Sequence, residues 1–166
     1  MSKKDNNIIK IMIVDDHPLL RHGLKMIIER ECERLVTLYC HYVDHGKAAK
    51  IAELFTEDGI WKSPEITMTG HNQIRTGFQH RQDQKERMSR HVCNNLLVDI
   101  VSEKEATGTV YVTLYRHDGK EGRSFSTLDG PEMVGEYQDR YLKTEEGWKV
   151  ANRKVFVSFL KVSEKE

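Results

Sequence analysis

Four places in this chain carry side chains that can do acid–base chemistry together: Tyr39, Asp44, the run Ser89-Arg90-His91-Val92, and Asn152-Arg153. An imidazole titrates near neutral pH and serves as a general base. A carboxylate beside it orients the ring and stabilises the imidazolium. A phenol supplies a hydrogen-bond donor, and a guanidinium balances developing negative charge. Each residue also has a plainer reading. Asp44 can be an exposed acid at a helix C-terminus, a placement the helix dipole mildly disfavours, which hints that something else fixes it. His91 can be a half-buried strand histidine satisfied by a backbone carbonyl, and Arg153 can form a structural salt bridge. Tyr39 and Asp44 are separated by about 1.4 helical turns, so they occupy different stripes and flank one pocket only if the helix ends there.

Other chemistries lack their residues. There is no Gly-rich phosphate loop, no HExxH, no GxSxG and no EF-hand pattern. His41, His45, His71, His80 and His91 show no metal-ligand spacing, so neither metal nor cofactor is expected. Lys+Arg and Asp+Glu both total 26, and without a basic excess or run a nucleic-acid partner is not expected. No apolar run approaches the roughly 18 residues of a membrane helix. The N-terminus starts basic and turns apolar, but Lys10 interrupts that stretch, Asp15 and Asp16 stop it, and no small-residue cleavage site follows. Cys32, Cys40 and Cys93 form no CxxC pair, and their odd count predicts reduced thiols in a cytoplasmic protein.

The elements that must position these residues follow from patterning. A chain of 166 residues with 38% hydrophobic content supports one core rather than two full domains. Residues 8–14 read as a short β-branched strand. Pro18 suits the first turn of a helix bearing Leu19, Leu20, Leu24, Ile27 and Ile28. A second helical pattern of Leu35, Leu38, Tyr39 and Tyr42 follows with little break. Either two helices or one continuous helix over 18–44 fits, with Gly23 its weakest point. Gly46 is the expected C-cap. A short helix over 47–56 comes next, then a Glu57-Asp58-Gly59 turn and a strand opening at Ile60-Trp61 that Pro64 limits. A further helix spans 71–81, with Ile74 and Phe78 on one face.

The second half reads as sheet. Residues 89–101 place Val92, Leu96, Val98 and Ile100 on one face, and His91, Cys93, Asn95 and Leu97 on the other. Residues 106–115 alternate Val110, Val112 and Leu114 against Thr109, Tyr111 and Thr113. His117-Asp118-Gly119 signals a hairpin turn, residues 120–131 a mobile loop, and strands over 133–144 and 148–160 meet at a Glu145-Glu146-Gly147 turn. Helices first and long antiparallel strands afterwards predict an α+β class with helices on a curved sheet.

The run from Tyr39 through Asp44 to Gly46, and Ile51-Ala-Glu-Leu-Phe55-Thr-Glu-Asp-Gly-Ile60-Trp after it, resemble the opening of a SnoaL-like domain of the nuclear-transport-factor-like superfamily. Gly70-His-Asn-Gln-Ile74-Arg, Ser89-Arg90-His91-Val92, Tyr137-Gln-Asp139-Arg140-Tyr141 and Glu146-Gly147-Trp148-Lys149 extend the likeness over about 31–159. The resemblance implies a cone-shaped, curved antiparallel sheet with helices packed on its concave side, in a domain of residues 31–166. It also implies a small hydrophobic ligand and a homodimer. The fold hosts many functions, so it names no single reaction.

Within that superfamily, scytalone dehydratase and bile-acid 7α-dehydratase use an Asp–His pair, and Asp44 and His91 fall at the corresponding places. Tyr39 matches the tyrosine of the bile-acid enzyme, and Arg153 matches its arginine. The implied activity is a cofactor-independent lyase or isomerase of dehydratase type acting on a small hydrophobic hydroxy-carbonyl compound. Its catalytic set is Asp44, His91, Tyr39 and Arg153, with Phe55, Trp61, Val155 and Tyr137 as walls of the substrate site. The chain departs from scytalone dehydratase at Val43, where that enzyme has tyrosine, and near Arg116, where it has a second histidine. Ser63 stands where ketosteroid isomerase carries its base, so that mechanism does not transfer. Tyr39 and Asp139 roughly match its oxyanion donors, but Asp139 reads better as a structural partner of Arg140 or of a neighbouring strand. The alternative function is a non-catalytic binding or assembly module, as in the small subunits of ring-hydroxylating dioxygenases.

The segment from Ile9 through Val14-Asp15-Asp16-His17-Pro18 to Leu24 resembles the first strand and helix of a response-regulator receiver domain. It covers only about 8–29, and the later strands and phosphoacceptor have no room, so phosphorelay is not expected. Residues 1–30 therefore read as a receiver-like fragment whose helix runs into the cone, its first residues disordered or paired with a partner chain.

Overall fold

The computed structural model describes residues 18–119 and 130–162. The strand expected over 8–14 and all but the last two residues of the expected loop 120–131 lie outside the described residues. One continuous helix, α1 (Pro18–Asp44), runs through Gly23 and across position 31 without a break. Its first turns expose Leu19, Leu20, Met26 and Ile27; burial begins at Ile28 and continues through Cys32, Leu35, Val36, Tyr39 and Val43. Gly46 then takes φ +69°, and the Lys47 amide donates to the Tyr42 carbonyl at 2.9 Å. That six-to-one closure needs a left-handed residue and satisfies a carbonyl of the last turn. It leaves Asp44 as the final helical residue.

A 3₁₀ helix over Ala48–Leu54 replaces the longer helix expected over 47–56. Phe55 already belongs to β1 (Phe55–Lys62), because it pairs with Val150 of β6 (Gly147–Leu160). The expected Glu57-Asp58-Gly59 turn lies inside β1, as an irregularity in that pairing. β2 (Thr67–Thr69) and α2 (Gly70–Asp83) follow, then β3 (Arg87–Ser102), β4 (Glu105–Asp118) and β5 (Met133–Thr144). The architecture is α+β: a curved, unclosed six-stranded sheet of order β2-β1-β6-β5-β4-β3 with the helices against its inner face. Every pairing is antiparallel except β1 with β6, since the chain leaves β1 through α2 and the whole meander before returning beside it. No helix among the described residues is long and apolar enough to cross a membrane.

Two bulges set which side chains enter the core. On β3 the pairing with β4 shifts between Asn94 and Leu97, and Asn95 adopts φ +54°. An extra residue unpaired on one strand reverses the inside–outside alternation beyond it. His91 and Cys93 therefore share the inner face with Leu96, Val98 and Ile100, while Val92 is exposed. The expectation that Val92 would lie on the face of Leu96, Val98 and Ile100, opposite His91, is corrected by this bulge. On β6 the register with β5 shifts at Ala151, so Trp148 and Val150 before it face inward together with Arg153 and Val155 after it. Asparagine tolerates the left-handed region better than most residues, which suits position 95.

Candidate functional site

Asp44, at the end of α1, meets the start of β3. His91 Nδ1 lies 2.7 Å from Asp44 Oδ1, and the His91 backbone amide donates to Oδ2 at 2.7 Å. Ser89, the next inward residue on β3, donates to Oδ1 at 2.7 Å. Arg81 from α2 in turn donates to Ser89 Oγ at 2.8 Å through Nη2. Both side chains of the pair are shielded, at 5% exposure for Asp44 and 11% for His91. Burial works to raise the Asp44 pKa, but the His91 ring, the His91 amide and Ser89 outweigh it and hold the carboxyl below its usual 3.8. In the neutral form of the ring, Nδ1 facing an ionised carboxylate carries the proton, which leaves the lone pair on Nε2. Among the described residues Nε2 has no hydrogen-bond partner.

His91 forms part of the wall of a pocket of about 270 Å³. Its apolar lining is Tyr39 and Val43 of α1, Trp61 of β1, Ile66 before β2, Met68 of β2, Phe78 of α2 and Leu114 of β4. Gly77 lets Met68 close against α2, since a Cβ there would collide with the Met68 sulfur. Aromatic rings meet edge to face around the floor: Tyr39 with Phe78 at 5.8 Å, Trp61 with Phe78 at 5.7 Å, and Tyr39 with His91 at 6.5 Å between centroids. Trp61 Nε1 donates to the Tyr39 oxygen at 3.1 Å. Burial pushes the Tyr39 hydroxyl well above its ordinary pKa, so it stays protonated at neutral pH and retains a proton to donate.

Arg153 does not reach this pocket. It is fully buried and forms a forked salt bridge with Asp139 on β5, Nε to Oδ1 at 2.8 Å and Nη2 to Oδ2 at 2.6 Å. Tyr141 donates to the same carboxylate at 2.7 Å. Its guanidinium lies 4.3 Å from the centroid of Tyr39 and 4.5 Å from that of Tyr137. Nη1 has no hydrogen-bond partner among the described residues, and these two ring faces stand in its place. Asp139 thus binds the neighbouring strand, while Arg140 pairs with Glu105 at 2.7 Å.

Of the other expected pocket walls, Trp61 lines the site, whereas Phe55, Tyr137 and Val155 are core residues outside its lining. Patterning had not singled out Met68, Phe78, Leu114, Arg81 or Arg87 for the site. They come from four elements, and only Phe78, on the helix face it shares with Ile74, and Leu114, on the apolar face of β4, carried a usable signal. Among the described residues no group of three His, Cys, Asp or Glu side chains converges as a metal site.

Comparison with solved structures places this fold among known relatives. A candidate scytalone dehydratase from Novosphingobium aromaticivorans superposes with TM-score 0.72 at 22% identity, over 87% of this chain and 93% of that one. An NTF2-like protein with a cystatin-like fold from the same organism gives 0.70 at 21% identity, over 87% and 92%. ActVI-ORFA from Streptomyces coelicolor gives 0.65 at 18% identity, over 79% and 97%. At such identities the likeness establishes the fold alone. No curated protein matches the chain. The pattern of the SnoaL-like domain matches residues 26–154, most of the chain, and the protein belongs to the SnoaL-like domain family.

Proposed function

We propose that this protein is a cofactor-independent lyase or isomerase of dehydratase type, acting on a small hydrophobic hydroxy-carbonyl compound. The observation that carries this reading is the 2.7 Å contact of His91 Nδ1 with Asp44 in the wall of an apolar pocket, with Nε2 unengaged. Nε2 removes the acidic proton beside the substrate carbonyl, and Asp44 stabilises the imidazolium. Tyr39 donates its proton to the departing hydroxyl, which leaves as water while the carbon–carbon double bond forms. Proton return from His91 to Tyr39 through solvent resets the site. Arg153 acts behind Tyr39, its charge against the ring face, rather than on the substrate. The candidate scytalone dehydratase among the structural relatives is consistent with this chemistry.

The test is a panel of small cyclic β-hydroxy ketones, followed for loss of water and for α-proton exchange in D₂O. Removing a general base costs about 10²–10⁴-fold in rate, so His91→Asn is expected to fall by that range. Equal rates in wild type and variant, with the variant folded, sink the assignment.

A second reading, a non-catalytic assembly module or homodimer, is favoured by exposed apolar side chains on the outer sheet face: Val92, Leu97 and Tyr111. Sedimentation of Val92→Glu beside wild type tests it, and two identical monomeric profiles would remove it.

A further inference from the structure

Three guanidinium groups line the pocket: Arg81 of α2, Arg87 of β3 and Arg116 of β4. Two are neutralised. Arg87 forks onto Asp118, and Arg116 reaches Glu132 at 2.6 Å and Asp118 at 3.5 Å. Arg81 has no carboxylate partner among the described residues. Among the described residues its only side-chain hydrogen bond runs from Nη2 to Ser89, which leaves Nε, Nη1 and the second Nη2 hydrogen unengaged.

This half-buried cation is in an unfavourable place. Burial, and then repulsion from Arg87 and Arg116, press its pKa below the usual guanidinium value, although Asp44 and Asp118 pull the other way. The apolar part of the wall, Trp61, Ile66, Met68, Phe78 and Leu114, offers it no charged partner. The chain as a whole is neutral, so this local excess is not general basicity. A ligand that brings one negative charge on a planar, forked group would supply the missing counterion. A pocket of about 270 Å³ falls just below the usual range of ligand sites, which begins near 300 Å³, and suits a body of one or two rings.

We propose that Arg81 reads a carboxylate, so that the pocket takes a small amphipathic carboxylic acid whose ring system packs on Trp61 and Phe78. This deepens the function proposed above by naming its substrate class, and it rests on the same pocket but not on the Asp44–His91 chemistry. The acid group anchors on Arg81, beside Ser89, and the apolar body extends along the aromatic wall.

Calorimetric titration of the full chain with 2-naphthoate and with neutral 2-naphthamide tests it. The two probes share shape and differ in charge. A charge-assisted hydrogen bond is worth roughly tenfold or more in affinity, so wild type is expected to prefer naphthoate by about that factor. Arg81→Gln brings the ratio near one with naphthamide binding little changed, and Arg81→Lys keeps part of the preference. Arg140→Gln, which removes a paired cation outside the pocket, leaves the ratio within about twofold. Equal binding of the two probes by wild type overturns the proposal, as does no naphthoate binding at millimolar concentration. A preference that survives Arg81→Gln, or that Arg140→Gln removes equally, also overturns it. If Arg81→Gln fails to fold, the wild-type ratio and Arg81→Lys still decide. Preference without turnover of the hydroxy-ketone panel, extended to members that carry a carboxylate, would sink the dehydratase function and leave the anion site standing; turnover without preference would do the reverse.

Discussion

His91 meets Asp44 twice, through its backbone amide at Oδ2 and through ring Nδ1 at Oδ1, both at 2.7 Å. A carboxylate held at both oxygens by one residue cannot swing away without breaking two hydrogen bonds, so the ring orientation and the start of β3 are tied to the end of α1. Ser89 adds a third donor, and Asp44 is thereby stabilised as an anion despite its burial.

That geometry makes stability depend on acid in a stated direction. The folded pKa of Asp44 lies below its ordinary 3.8. Its contribution is therefore fully present above about pH 5 and is lost as pH falls through the folded value. Asp44→Asn is expected to cost about 1–3 kcal/mol at pH 7 and to flatten the acid limb. Urea denaturation at pH 7, 5 and 3 checks this; parallel losses in both proteins would contradict it.

Ser89 holds Asp44 and receives Arg81. Ser89→Ala is expected to lower kcat on a turned-over hydroxy-ketone by about tenfold with KM within about threefold. On a neutral hydroxy-ketone it acts through the carboxylate rather than on the reacting atoms. A KM effect larger than the kcat effect would instead place Ser89 in substrate binding.

The Arg153–Asp139 pair is fully buried. Breaking such a pair from one side leaves a buried charge and costs about 3–5 kcal/mol, whereas replacing both partners by apolar groups is often close to neutral. Asp139→Leu alone should therefore unfold far more easily than Asp139→Leu with Arg153→Met. Equal denaturation midpoints for the single and double variants would show that the pair is not the source of the cost.

Asn95 is the hinge of the β3 bulge. A β-branched residue at its φ of +54° costs about 1–3 kcal/mol, so Asn95→Val should lower the thermal midpoint while Asn95→Gly is tolerated. If the valine variant is as stable as wild type, the bulge is not held by this conformation.

Much of this architecture was legible from local rules. Gly46 ends α1 because only a residue free to turn left-handed closes that helix, and Asp44 follows as its last residue. The alternation of β4 was readable because its inner face keeps one parity from Ala106 to Val112. Asp44 and His91 could be joined as a pair only through a family resemblance, since spacing in sequence does not join residues from two elements.

Tertiary structure decided the rest. A bulge is two residues facing one on a partner strand, so the parity changes at Asn95 and Ala151 exist only once β4 and β5 are paired. Those changes put His91 on the inner face with Leu96, and put Arg153 in the core with Trp148. Nothing local distinguishes Arg140 from Arg153 as the partner of Asp139; strand register does, by setting Asp139 opposite Arg153. The pocket wall is likewise a product of assembly. Phe55 and Val155 have the character of wall residues but pack inward, while Met68, Phe78 and Arg81 arrive from β2 and α2 because β1 pairs in parallel with β6 and carries those elements to the mouth. Local sequence set where elements begin and end, because caps and turns act over a few residues; side-chain company was set by pairing across the sheet, which acts over the whole chain.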